Sequence, residues 1–148
     1  MSRNFKNIKA WKHSDDLVVD VYSVTKFFPN EELYGLVSQL RRAVVSVPTN
    51  IAEGSGREHK KEYLHFLYIA RGSLSEVIYL IHISKRLGYI EEISFVKLND
   101  LAEEVAKTLY GLILAIKKET NFISILIAVI TSSLILYGEN LFSLRSKV

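Results

Sequence analysis

Across residues 1–120 the apolar side chains recur at alternating steps of three and four, and no stretch alternates at period two long enough to make a sheet. That step lines up one face of an α-helix, so the chain has to bury helical stripes against one another. The pattern breaks at three places, and the breaks divide it into four helices.

In the first, Val18, Val21, Thr25 and Phe28 keep the step, and Leu17 and Tyr22 widen the stripe. Ser14, followed by Asp15 and Asp16, supplies an N-cap candidate and negative charge where a helix start favours them. Pro29 stops this helix, because the residue before a proline is pushed out of the helical region. The second covers about residues 31–53, with Leu33, Leu36, Val37, Leu40, Val44, Val47 and Ile51 on one face. Pro48 falls inside it and is expected to remove one hydrogen bond and kink the helix without ending it. Gly54-Ser55-Gly56 is the expected stop.

The third helix spans about residues 58–87, with Tyr63, Phe66, Ala70, Leu74, Val77 and Ile81 at heptad spacing. Gly72 weakens it by about 1 kcal/mol relative to Ala, or serves as a small residue that lets a neighbour approach closely. Gly88 closes it. In the fourth, about residues 92–118, Phe95, Leu98, Ala102, Val105, Leu109, Leu112 and Ile116 hold an a/d pattern. Long amphipathic helices on short connections pack as antiparallel neighbours. The expected fold is all-α: an antiparallel up-down four-helix bundle over residues 1–120, with an additional apolar C-terminal segment over residues 121–148.

Composition narrows the function. With 49% hydrophobic and 24% charged residues the chain is not disordered. Zero Cys excludes a disulfide scaffold and thiolate chemistry, and suits a cytoplasmic location. Arg3, Lys6, Lys9 and Lys12 precede no apolar run of the kind a signal peptide needs. The net charge of +3 is too small to announce nucleic-acid binding by itself.

The composition changes sharply after Lys118. Residues 120–138 hold no charge, and beyond residue 120 the only charged side chains are Glu139, Arg145 and Lys147. As a helix, residues 120–138 would be about 28 Å long, close to the roughly 30 Å of a bilayer's hydrocarbon core. Three readings follow: a membrane anchor through residues 122–137, a fifth helix or strand packed on the bundle or a sister subunit, and a tail without function. The basic flanks, Lys117 and Lys118 against Arg145 and Lys147, are balanced and give no orientation.

Catalytic patterns are thin. Glu62 and His65 form one E-x-x-H, but a di-iron bundle needs a second such pair and two more glutamates, and no Glu stands three residues before His13, His59 or His82. Gly54-Ser55-Gly56-Arg57 lacks the ending of a phosphate-binding loop and follows no strand. The expectation is a protein without catalytic residues, metal or cofactor. The basic residues are better candidates: Arg41 and Arg42 on the second helix, and Arg57, Lys60, Lys61, Arg71, Lys85 and Arg86 at and along the third. Converging in the fold or across subunits, they would displace counterions from structured RNA or DNA; otherwise they form a solvated face. The second helix carries a polar stripe as well, Gln39, Arg42, Ser46, Asn50 and Glu53, which faces water or forms an oligomer contact.

Several runs together resemble a known family: Trp11; Phe27-Phe28-Pro29; Glu32-Leu33-Tyr34-Gly35-Leu36; Gln39-Leu40-Arg41-Arg42-Ala43; Asn50-Ile51-Ala52-Glu53-Gly54; Arg57; Glu62-Tyr63; Phe66-Leu67; Ile69-Ala70; Gly72-Ser73; Glu76; and Leu87-Gly88-Tyr89-Ile90. Over about residues 8–118 the chain resembles the bacterial four-helix-bundle proteins encoded in intervening sequences of 23S ribosomal RNA genes. The resemblance implies an antiparallel bundle, a homopentamer and no established enzymatic activity. The chain is also similar, more distantly, to the accessory protein of diversity-generating retroelements, a pentameric bundle that binds nucleic acid and a reverse transcriptase through a basic surface. Two functions follow. One is a non-catalytic oligomeric bundle that contacts structured RNA or DNA; the other is a protein-interaction scaffold without nucleic-acid affinity, held at a membrane by its apolar segment.

Overall fold

The computed structural model describes the backbone of residues 4–145 and the side chains of residues 4–119 and 125–133. Every regular element among the described residues is helical: α1 (Lys9–Val24), α2 (Leu36–Ser55), α3 (Lys60–Arg86) and α4 (Glu92–Arg145), with 3-10 turns at Phe5–Asn7, Thr25–Phe27 and Asn30–Glu32. The chain divides into two units, Met1–Ile113 and Leu114–Val148.

The first unit is the expected bundle. Along α2 and α3 the contact partners run in opposite directions: Gln39 meets Glu76, Ser46 meets Ser73, and Gly54 lies against Phe66 and Tyr63. Partner numbers fall as α2 advances, which defines an antiparallel pair. The C-terminal half of α1 meets the start of α4 through Lys97 and Asp20, 2.8 Å apart. Most of the expected positions form the core: Leu17 and Val21; Leu40, Val44, Val47 and Ile51; Tyr63, Ala70, Leu74 and Val77; Leu98, Ala102, Val105 and Leu109 are all at most 2% exposed. Val18, Phe66, Phe95 and Leu112 are only partly buried, and Leu67 and Ile113, one residue on from Phe66 and Leu112, take the buried places instead. Each such Leu or Val contributes about 1.5–3 kcal/mol by leaving water, which outweighs any helix propensity in fixing the pairing.

The breaks between helices differ from the sequence expectations in instructive ways. Ser14 is no N-cap: the cap position is Ile8, six residues earlier, and the fully buried Ser14 hydroxyl donates to the Trp11 carbonyl at 2.8 Å. The apolar step extends back through Ala10, and the serine satisfies itself inside the helix. At its far end α1 stops at Val24, tightens into the Thr25–Phe27 turn and leaves the helical region at Phe28.

The second helix begins at Leu36 rather than near residue 31, and Leu33 is exposed. Gly35 departs from helical geometry, and the Glu32 carboxylate accepts from the Leu36 backbone N–H at 3.1 Å, capping the new start. Pro48 sits buried within α2, which continues through it to Ser55.

The Gly54-Ser55-Gly56 run ends α2 as expected: the helix stops at Ser55, and the Gly56 N–H reaches the Glu53 carbonyl at 3.2 Å. Within that run Gly54 has a second use. It is buried in the last turn of α2, where an added Cβ would come within 2.8 Å of the Phe66 Cβ, so its role is close helix contact. Of the two uses open to Gly72, close approach of a neighbour is not the one realised, because an added Cβ there would meet nothing within 4 Å. Gly88 ends α3 as expected: at φ 79° it lets its own N–H reach the Lys85 carbonyl and the Tyr89 N–H reach the Ser84 carbonyl, both at 3.0 Å.

The second unit is helical as far as Arg145, so the strand reading of the apolar segment is overturned, and the segment is part of α4 rather than a separate fifth helix. Of residues 122–137, the side chains of 122–124 and 134–137 lie outside the described residues, as do Arg3, Lys147 and the side chains of Glu139 and Arg145.

Candidate functional site

Two surfaces collect the polar and basic residues singled out by the sequence. The first is a seam between α2 and α3. Gln39 Nε2 donates to Glu76 Oε1 at 3.1 Å, and the Ser46 and Ser73 hydroxyls share a hydrogen bond of 2.8 Å. Asn50 Nδ2 turns back to the Ser46 carbonyl at 2.7 Å and its hydroxyl at 3.0 Å. Glu53 pairs with Arg57 one turn on. Four of the five stripe residues are thus engaged within the chain, while Arg42 has no ion-pair partner among the described residues. Glu76 and Ser73, which complete the seam, belong to the runs that carried the family resemblance. Period alone did not single them out, because pairing across helices is invisible to it.

The second surface is a groove of about 690 Å³ along α1 and α2, lined chiefly by Tyr22, Leu33, Tyr34, Val37, Arg41, Arg42 and Val45. Leu33 is half exposed and Tyr34 is 91% exposed. The Gly35 break places them here: a helix running on from residue 31 would have turned Leu33 into the core. Arg41 is fixed at the groove edge, its Nε donating to Thr25 Oγ1 at 2.9 Å and its guanidinium 4.7 Å from the Tyr22 ring.

The remaining basic candidates are strung along α3. Arg57, Lys60 and Lys61 cluster at the α2–α3 turn, Arg71 is near the middle, and Lys85 and Arg86 occupy the far end. At 1.5 Å per residue, Lys60 and Arg86 are about 39 Å apart, so one chain does not gather these eight side chains into one patch. Arg57 stacks on Phe66 at 4.7 Å and Arg71 on Tyr68 at 5.0 Å. Lys85 is tied to Glu92 at 2.7 Å. A guanidinium stacked by its face keeps in-plane N–H donors for an anion while losing rotamer freedom.

Sequence reasoning also passed over a buttress at the foot of α2. Tyr89 packs against Phe28 at 5.6 Å between ring centres, and its hydroxyl donates to Glu32 Oε1 at 3.3 Å, while Oε2 of the same carboxylate caps α2. Desolvation, followed by the charge and hydrogen bond of Glu32 and the charge of Glu31, raises the phenol above its ordinary value near 10.0. An acid four residues before a helix start was the available signal.

Glu62 and His65 are both exposed on α3, and among the described residues no group of three or more His, Cys, Asp or Glu side chains could hold a metal ion.

The fold and these surfaces define a class first: an antiparallel four-helix bundle whose polar residues knit α2 to α3 and whose arginines border an open apolar groove. Residues 6–111 match the family model described as 23S rRNA-intervening sequence protein, and the chain belongs to that family. No curated protein matches the chain. Among solved structures, it is similar to a protein of unknown function from the S23 ribosomal protein family of Bacteroides thetaiotaomicron. The TM-score is 0.65 at 24% identity, over 70% of this chain and 97% of that one.

Proposed function

We propose that the chain is a non-catalytic bundle that assembles with copies of itself, as a homopentamer, and binds structured RNA through basic side chains gathered by assembly. The observation that carries this reading is Arg42, a cation without an ion-pair partner among the described residues, beside a groove that leaves Leu33, Tyr34 and Val45 in water. Covering the groove with a second copy removes that apolar surface from water and repeats Arg42 and its neighbours around one assembly. A single chain spreads its cations too thinly to neutralise adjacent phosphates; repetition remedies that without a large net charge. The family description, which ties these proteins to 23S rRNA, supports RNA as the polyanion.

The test is light scattering on the full chain in a mild non-ionic detergent, paired with binding to a structured rRNA fragment. Tyr34→Glu with Val45→Glu is expected to give a monomer of unchanged helicity that binds RNA at least about tenfold more weakly. A wild-type chain that is monomeric, or an intact oligomer that binds no RNA at low salt, would refute the proposal. Stoichiometric iron or zinc in the purified protein would contradict its non-catalytic part.

A further inference from the structure

The family match ends at residue 111, and the solved neighbour accounts for 70% of this chain, so the apolar segment after Lys118 needs its own explanation. We propose that residues 120–138 insert into a lipid bilayer as a single helix and tether this chain to a membrane.

The first ground is the distribution of apolar surface. A core helix is apolar on one side, as α3 shows: Tyr63, Leu67, Ala70, Leu74 and Val77 are buried, while Lys61, Glu62, Arg71 and Glu76 are exposed. The segment has no such sidedness. Ile125, Leu126, Ile127 and Ala128 advance by about 100° each and encircle the axis, and Ile125, Leu126, Ile127, Val129 and Ile130 are each 48–63% exposed. A bundle or a sister helix covers one stripe and leaves the rest in water, whereas lipid covers the whole circumference.

Length and flanks agree. Nineteen uncharged residues span close to the hydrocarbon thickness; Glu119 and Glu139 bound them directly, with Lys117 and Lys118 just before and Arg145 and Lys147 further on. Such basic side chains reach the headgroups with their charged ends while their stems stay in the apolar layer.

The last ground concerns the hydroxyls in mid-segment, which argue for a protein partner if their hydrogen bonds have to be made outside the helix. At Thr131 and Ser132 they are made within it. Thr131 Oγ1 donates to the carbonyl of Ile127 at 3.0 Å or of Ala128 at 2.9 Å, and Ser132 Oγ donates to Ala128 at 2.9 Å. Bonded back to the preceding turn, these groups enter hydrocarbon at little cost and need no partner chain.

The experiment is flotation of the purified full chain reconstituted with vesicles of phosphatidylcholine and phosphatidylglycerol, washed with 1 M salt (about 3 Å Debye length) and then with alkaline carbonate. The wild type is expected to stay with the vesicles through both washes, and trypsin should leave the 119–145 peptide in the vesicle fraction. Ile127→Arg, and separately Val129→Arg, is expected to partition roughly a hundredfold less well, with helicity of the bundle unchanged. Thr131→Leu with Ser132→Leu should float as the wild type does. Release by salt alone, a chain that never floats, or Arg variants that float normally would overturn the proposal. So would a water-soluble oligomer that falls apart on Ile127→Arg, since a second copy would then be what covers the segment.

Discussion

Replacing Gly54 with Ala tests whether that glycine sets the α2–α3 distance or merely ends a helix. The new Cβ would lie 2.8 Å from the Phe66 Cβ, 2.8 Å from Tyr63 Cδ2 and 3.3 Å from Tyr63 Cε2. Carbon atoms prefer about 3.5–4.0 Å, so both close contacts are short by roughly 0.7 Å or more. The Phe66 Cβ moves only with the α3 backbone, and the Tyr63 ring is fully buried, so neither can yield locally. Overpacking of that kind costs about 1–3 kcal/mol, and this site belongs at the upper end. Ala gains back at most about 1 kcal/mol in helix propensity, leaving a net loss of about 2 kcal/mol. With a urea slope of about 1–3 kcal/mol per molar, the unfolding midpoint should fall by roughly 1 M at unchanged slope. Gly72→Ala is the paired control: with nothing within 4 Å of its Cβ, it should gain about 0.5–1 kcal/mol and move the midpoint upward. A Gly54→Ala protein as stable as the wild type, or two variants shifted in the same direction, would refute the reasoning.

Other consequences can be checked separately. Ser46→Ala should cost about 1 kcal/mol, and Ser73→Ala on top of it should add little, because the two hydroxyls share one hydrogen bond; a double-mutant cycle with full additivity would contradict the seam. Tyr89 should make stability pH-dependent on the alkaline side. The unfolded phenol titrates near 10 and the folded one higher, so the native state retains a proton that the unfolded state has lost. Its contribution is complete below about pH 10 and disappears as pH rises through the folded value. Tyr89→Phe should abolish that part of the alkaline decline and remove the late component of the tyrosinate absorbance titration. Gly88→Ala should destabilise by about 1 kcal/mol or more, measured by urea unfolding, because its φ of 79° is costly for any residue with a Cβ.

The a/d positions were legible because burial of a stripe is a one-dimensional property: Val21, Val44, Leu74 and Leu98 stand where the step of three and four places them. Gly88 was legible for a similar reason, since its turn is closed by neighbours in sequence. Ser14 was misread as a cap, the close contact at Gly54 was not visible beside its place in the α2 stop, and Gly72 was left with two uses, because in each case the choice depends on what another helix brings beside the residue. The same applies to the site. Arg41 reads as a free cation until Thr25 and Tyr22, sixteen and nineteen residues away, are seen to hold it. The stripe on α2 reads as either water-facing or an oligomer contact until Glu76 and Ser73 meet it from α3.

Assembly that concentrates otherwise scattered cations is the central claim, and the salt dependence of RNA binding tests it most directly. Binding of the full chain in mild detergent to a structured rRNA fragment should weaken linearly on logarithmic axes. The slope should be about −3 or steeper, corresponding to several phosphates neutralised at once. The Tyr34→Glu, Val45→Glu monomer should bind weakly with a slope near −1. A shallow slope for the intact oligomer, or the same steep slope for the monomer, would contradict the account.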